Sequence, residues 1–315
     1  MPIRNRKGNL IFFLLLISIL LNAQTNRALI VAISDYPEDS GWEKIHSVND
    51  CQLIIPMLKA NGYKKDDIKI LLNENATKAK IVKAFQNLAS KTRPGDYLYI
   101  HLCGHGQQIV DDNGDELDGL DEAFIPYDAQ FRYKTGIYEG ENHLRDDNLG
   151  RLIDAIRRRS GEKGNVIVVL DACHSGTGTR LKDEDEYIRG TSYIFAPPGY
   201  NPPAIDPENL QLALTKEKNL SPLTVFSACQ PDEVNYEYKA VNQDTYYGRL
   251  TYFFCSQVME NTTTSTNYSF YIKLKEKMNT SFEKKNRKQT PYFESTNENG
   301  RFILDKHFTN GRKNI

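Results

Sequence analysis

Two hydrophobic rhythms alternate along the chain. Apolar runs of strand length occur at residues 27–34 (RALIVAIS), in DIKILLN, in GDYLYIHLC, in NVIVVLDAC and at residues 222–229 (PLTVFSAC). Between and after them, VNDCQLIIPMLKANGY, ATKAKIVKAFQNLASK, DDNLGRLIDAIRRR, LTYFFCSQVME and FYIKLKEKMNTSFEKK carry apolar residues at helical spacing. Runs that are apolar at successive positions, rather than at alternate ones, predict strands covered on both faces. Strands that alternate with helices predict a mostly parallel α/β sheet. Local chemistry agrees: Asn61-Gly62 suits a helix C-terminus, Pro94-Gly95 a turn, and DDNLGRLIDAIRRR is acidic at its start and basic at its end, matching the helix dipole. In sheets of this kind ligands gather beyond the carboxyl ends of the strands.

Two segments break the rhythm. Residues 1–24 place Arg4, Arg6 and Lys7 before the apolar run LIFFLLLISILL and then NAQ, the order of a secretory signal peptide cut near Ala23 or Gln24. The run falls well short of the ~20 residues a spanning helix needs, so no stable membrane anchor is expected. The protein is expected to act as a secreted or periplasmic monomer, with residues 25–315 forming one domain. Residues 177–221 lose the apolar period and become charged and proline-rich, which reads as a long exposed excursion between two halves of that domain. Composition adds little to this: 39% hydrophobic and 26% charged residues are those of a globular chain, and Lys+Arg 40 against Asp+Glu 41 gives no global field that would draw nucleic acid.

The chemistry lies at two strand ends. YIHLCGHGQ puts His105 between glycines just past one apolar run, and VVLDACHSG puts Cys173 just past another. On neighbouring parallel strands they would share one rim, where an imidazole beside a thiol suits covalent acyl transfer. The free N–H groups near Gly106 and Cys173 would suit an oxyanion hole. A lone cysteine at a strand end is as readily a core residue, and the five cysteines form neither a disulfide framework nor a CxxC metal pair. Cys51, Cys229 and Cys255 fall in strand or helix patterns and read as packing residues. His101, inside an apolar strand, reads as a satisfied buried histidine, and His174, directly after the cysteine, is expected to point away from the thiol. No glycine-rich phosphate loop follows the first strand, which argues against a nucleotide-binding α/β protein.

With GHG and DACHSG in this order and context, the chain from RALIVAISDYP to TPYFES resembles the caspase-type cysteine peptidases, and its metacaspase-like branch in particular. The resemblance implies a caspase-hemoglobinase fold, a three-layer α/β/α sandwich around a mostly parallel central sheet of about six strands. It also implies a cysteine endopeptidase with His105 as general base and Cys173 as nucleophile. A gingipain-like or clostripain-like peptidase of the same clan, or a catalytically idle caspase-fold scaffold, are the alternatives. The VND and DDNL contexts speak against the first and an intact dyad against the second.

By the same resemblance Asp50 and Asp171, flanked by Ser47 and Cys103, match an acidic pocket that takes Arg or Lys at the cleaved position of a polypeptide substrate. Cys103 stands where the family usually has serine. Two buried carboxylates are costly unless a cation joins them, although Asp50 would also serve as a helix N-cap and Asp171 as a strand-end turn. The family often uses calcium, and Asp121, Asp146 and Asp147 match its ligand positions, with Asp183 or Asp185 as a further candidate. DDNGDELDGLDE lacks the flanking helices and ligand spacing of an EF-hand. Self-cleavage is implied after one of Arg180, Lys182, Arg189, Lys216 or Lys218.

Overall fold

A computed structural model describes residues 24–173, 187–203, 219–231, 233–240, 244–261, 264–281 and 288–304. Residues 1–23 of the expected signal segment lie outside the described residues, as do His174, Arg180, Lys182, Asp183, Asp185, Lys216 and Lys218. Among the described residues no helix is long and apolar enough to cross a membrane.

In chain order the strands are β1 (Asn26–Ala32), β2 (Ile68–Leu72), β3 (Tyr97–Cys103), β4 (Gly106–Val110), β5 (Leu120–Phe124), β6 (Leu144–Arg145), β7 (Asn165–Asp171), β8 (Leu223–Ser227), β9 (Glu237–Lys239), β10 (Tyr246–Gly248) and β11 (Tyr292–Ser295). The helices are α1 (Cys51–Ala60), α2 (Lys78–Lys91), α3 (Asp146–Ser160), α4 (Arg249–Glu260) and α5 (Asn267–Thr280). The central sheet has six strands in the order β11-β8-β7-β3-β1-β2. All its pairings are parallel except that of β11 with β8.

The sheet is apolar on both faces because both are covered. On β1, Ala28, Ile30 and Ala32 join Ile54 and Met57 of α1, Phe254 of α4 and Phe270 of α5 in one core, whereas Leu29 and Val31 face the other way. There they meet Ile81 and Phe85 of α2 and Ile153 and Ile156 of α3. On β7 the same alternation sends Ile167 and Val169 to the first core and Val166 and Val168 to the second. Each such fully buried side chain contributes about 1.5–3 kcal/mol relative to exposure. Local signals set the helix ends: the Thr77 hydroxyl accepts from the Lys80 N–H at the start of α2, Thr266 and Ser269 form a reciprocal capping box on α5, and Gly62, at φ +84°, turns the chain out of α1.

Smaller pieces frame the carboxyl rim: the antiparallel sheet β4-β5-β6 and the hairpin of β9 and β10. DDNGDELDGLDE connects β4 to β5, so strands flank it where an EF-hand has helices. The Asp111 carboxylate accepts from the backbone of Asn113, Gly114 and Glu116 to hold that turn.

The described part of the proline-rich excursion departs from its expected exposure. Phe195 is buried against His143 and Tyr138, its backbone bridged to Ile109, and Arg189 is wholly buried. Composition misleads here because one arginine and a few aromatics, Tyr187, Tyr193 and Phe195, anchor an otherwise polar segment.

Candidate active site

Cys103 at the end of β3 is directly opposite Asp171 at the end of β7. His105 and Cys173 therefore each lie two residues beyond a matched pair of strand ends, at one rim of the sheet. The backbones are in close approach there. A Cβ on Gly106 would fall 2.6 Å from the Cys173 carbonyl oxygen, which explains a glycine after His105.

His105 is held on three sides. Its ring stacks on Trp42, with centroids 4.9 Å apart, and its backbone N–H donates to the Tyr36 hydroxyl, which donates in turn to the Ile125 carbonyl. The ring Nε2 lies 2.9 Å from the Glu43 carbonyl oxygen. A carbonyl can only accept, so Nε2 carries the proton and Nδ1 carries the lone pair. That Nδ1 is buried and has no hydrogen-bond partner among the described residues. Burial pushes the imidazole down to about 4, with the Glu43 hydrogen bond opposing. His101 is also buried, but its nitrogens meet the Tyr99 hydroxyl at 2.7 Å and the Thr251 hydroxyl at 2.9 Å, which leaves it no spare valence.

Cys173 is buried, and its backbone N–H donates to the Arg189 carbonyl at 2.9 Å. Its Sγ lies 2.6 Å from Sγ of Cys229 and 3.2 Å from the Glu233 carbonyl. Cys229, read from the sequence as a packing residue, is thus a neighbour of Cys173, while Cys255 belongs to the core and Cys51 packs against it. The hydrogen bond to Cys173 and then burial raise the Cys229 thiol, keeping it protonated.

Beside Cys173 three carboxylates surround one guanidinium. Asp50 accepts from Arg189 Nη1 at 2.5 Å and Nη2 at 3.3 Å, and from the Gly248 N–H at 2.9 Å. Asp171 lies 3.6 Å from Nη1 and is fixed by Asn235 and by the N–H and hydroxyl of Thr251. Glu237 takes Nε at 3.0 Å and Nη2 at 2.9 Å. Asp50 is helical at φ −56°, and its carboxylate makes no N-cap bond, so the capping alternative does not apply. Burial raises Asp50 to about 6 even with the arginine beside it. Burial pushes Glu237 up as well, but Arg189 and His46 outweigh it and hold this carboxyl below its ordinary range. Gly248 forms a wall, since a Cβ there would fall 2.1 Å from Asp171 Oδ2 and 2.2 Å from Arg189 Nη1. Ser47 and Cys103 are buried, the Ser47 hydroxyl without a partner among the described residues.

Glu237, Gly248 and the cation itself were missed by sequence reasoning. A signal for Glu237 existed: VNYEYK alternates, so Asn235 and Glu237 point to one side of a short strand, and both reach the carboxylate cluster.

Carboxylates also gather near the β4–β5 turn. Asp111, Asp115 and Asp121 bring one oxygen each within 4.8 Å of one another. Asp121 pairs with Arg145, which also contacts Asp112. Asp146 is raised to about 6 by burial and by Asp121 and Asp147. Asp147 turns instead to Asn113 and Arg151.

A family model described as Caspase domain matches residues 25–303. Metacaspase-1A of Neurospora crassa is 30% identical over 180 residues, covering 55% of this chain and 36% of that protein. Metacaspase III c of Phaeodactylum tricornutum is 29% identical over 160 residues, covering 49% and 43% respectively. The chain thus spans less than half the length of these relatives. Among solved structures, a protein of Geobacter sulfurreducens superposes with a TM-score of 0.58 at 19% identity, covering 86% of this chain and 93% of that one. Caspase-1 of Spodoptera frugiperda superposes at 0.55 with 13% identity, covering 90% of each. With its six-stranded sheet, its rim of His105 and Cys173 and the family match across 25–303, this chain belongs to the caspase domain family.

Proposed function

We propose that the protein is a cysteine endopeptidase that cuts polypeptides after arginine or lysine, with Cys173 as nucleophile and His105 as general base. One observation carries the reading: the rim beside Cys173 holds a buried arginine side chain among Asp50, Asp171 and Glu237. A site that places three carboxylates around a guanidinium selects a cation, because an uncharged or acidic side chain would leave those charges buried and uncompensated. His105 Nδ1 is the atom to take the thiol proton and return it to the leaving amine, since Glu43 fixes the proton on Nε2. The Cys173 N–H supplies one oxyanion donor, and Gly106 approaches closely enough to supply a second. Self-processing in the segment after Cys173 and export through the N-terminal apolar segment belong to the same reading.

Fluorogenic peptides ending in Arg, Lys or Asp test it, and pH sharpens the test. Arginine and lysine peptides are expected to be cut and the aspartate peptide spared. As pH falls, Asp50 takes up a proton near 6, or above it once Arg189 has left the pocket, and its hold on a cation weakens. KM for the arginine peptide therefore rises through this range, while kcat persists because His105 stays neutral down to about 4. Preference for the aspartate peptide, or a kcat that collapses at pH 6.5 with KM unchanged, would remove the assignment.

We also propose a calcium site on the β4–β5 turn. The hard oxygens of Asp111, Asp115 and Asp121 suit the ion, Asp146 lies near, and Asp147, engaged elsewhere, would have to turn to join. Crowding of carboxylates supports it: burial first and then neighbouring carboxylates raise Glu116 to about 7 and Glu122 to about 8. Calcium at a hundredfold excess over Kd would add about 2.7 kcal/mol to stability. Thermal melting with calcium or chelator should show this stabilisation in the wild type and its loss in Asp121→Asn. An equal response in both proteins would place the ion elsewhere.

A further inference from the structure

A second side-chain site lies next to the carboxylate pocket. Its wall is a pair of stacked rings, His46 from the loop before α1 and Tyr246 from β10, with centroids 5.1 Å apart and planes 23° apart. Other parts of the protein hold each ring in place. Glu237 accepts from the His46 backbone N–H at 2.8 Å and meets ring Nδ1 at 2.6 Å. The Asn49 side chain donates to the Tyr246 carbonyl at 3.0 Å, and the Lys239 ammonium lies over the Tyr246 ring at 5.3 Å. Residues 187–190 show what the wall receives. The Arg189 N–H donates to the Asn235 carbonyl at 2.9 Å, the Glu237 N–H donates to the Tyr187 carbonyl at 2.9 Å, and Ile188 is bridged antiparallel to Tyr236. This is β-strand addition to the edge 235–237. Side chains two apart on a strand point the same way, so Tyr187 falls on the side of Arg189. Its ring meets His46 at 4.4 Å and 88°, and Tyr246 at 4.9 Å and 70°, both edge-on.

We infer that His46 and Tyr246 form a specificity subsite for an aromatic residue two positions before the cleaved arginine or lysine of a polypeptide substrate. The inference rests on the peptidase reading above and adds to it a second determinant of what is cut. A substrate on the edge 235–237 takes the place of residues 187–190 and sets its own third side chain against the two rings. Edge-on ring contacts favour an aromatic over an aliphatic side chain of the same bulk, because the positive ring edge meets the negative ring face. Glu237 joins the two subsites. One carboxylate accepts from Arg189 Nε at 3.0 Å in the pocket and orients His46 in the wall. A basic residue and an aromatic residue at this spacing are therefore recognised together, by side chains drawn from 46, 237 and 246.

Internally quenched peptides test this, carrying X-Ile-Arg-Gly with X as tyrosine, phenylalanine, cyclohexylalanine or alanine. Glycine follows the arginine because a Cβ on Gly190 would fall 2.1 Å from the Cys173 carbonyl oxygen. The tyrosine and phenylalanine peptides should exceed the alanine peptide in kcat/KM by about three- to tenfold, mostly through KM, the usual worth of an aromatic contact. Cyclohexylalanine, with the bulk of phenylalanine and no ring quadrupole, should fall below it. Tyr246→Leu should bring the tyrosine-to-alanine ratio close to one. His46→Leu should do the same and also raise KM for all four peptides, because Glu237 loses the ring that it holds. An enzyme that cuts all four peptides alike, or one whose tyrosine-to-alanine ratio survives both substitutions, overturns the subsite and leaves the peptidase reading standing. An equal preference for cyclohexylalanine and phenylalanine overturns it too, since the wall would then be a greasy surface and not a reader of rings. If no arginine peptide is cut, the peptidase reading fails and takes the subsite with it.

Discussion

Replacing Cys173 with alanine is expected to lower the hydrolysis of arginine-ended peptides by about 10⁴-fold or more, the scale seen when a covalent nucleophile is lost. Among the described residues no second group at the rim can take over the role. The neighbouring thiol of Cys229 is raised by its hydrogen bond to Cys173 and by burial, so it stays protonated and poorly nucleophilic. His105→Ala should fall nearly as far, and the two losses should not add in the double variant, because nucleophile and base act as one unit. Cys229→Ala is the informative control: it removes a contact of Cys173 without removing the attacking atom and should retain most activity. Steady-state kinetics with folded protein, verified by melting, decides the matter. Substantial residual turnover in Cys173→Ala would assign the chemistry to another residue.

The second large effect concerns charge. Asp50→Asn removes the carboxylate closest to the arginine head group, at 2.5 and 3.3 Å, and should cut kcat/KM for arginine peptides by roughly 30- to 5,000-fold, the 2–5 kcal/mol lost when one partner of a buried charge pair is removed. Asp171→Asn should act in the same direction but less selectively. Its carboxylate is farther from the guanidinium, at 3.6 Å, and also ties β7 to Asn235 and to Thr251 at the start of α4. That variant should therefore lose thermal stability as well as affinity, whereas Asp50→Asn should show mainly a rise in KM. A change of less than threefold in both variants would mean that the carboxylates serve Arg189 alone and do not select substrate.

The sheet and its helices could be read from the chain because their signals are local. Val166 to Val169 are apolar at every position, which only a doubly covered strand requires, and Asp146, Asp147 and Arg157 to Arg159 mark the ends of α3 by their charge. The rim positions of His105 and Cys173 followed from the same strands, since side chains just past parallel strand ends gather on one edge. The pocket was legible only in part. Asp171 sits beside Cys173 in sequence, but nothing near Arg189 marks it as the cation of a cluster built from positions 50, 171 and 237. A charged, proline-rich stretch has the composition of a solvated loop, and such a composition cannot report that one of its residues is buried.

By itself, then, the sequence determined the layers of the fold, the edge of the sheet where chemistry gathers, and the residue types available there. These depend on periodicity and on neighbours within a few positions. Only the tertiary structure decided which charges meet, that Glu43 fixes the proton on His105 Nε2, that Cys229 lies against Cys173, and that Tyr187 to Gly190 run along the edge 235–237. Burial makes each of those pairings matter, because a desolvated charge or polar atom must find its partner wherever the fold provides one, regardless of distance along the chain.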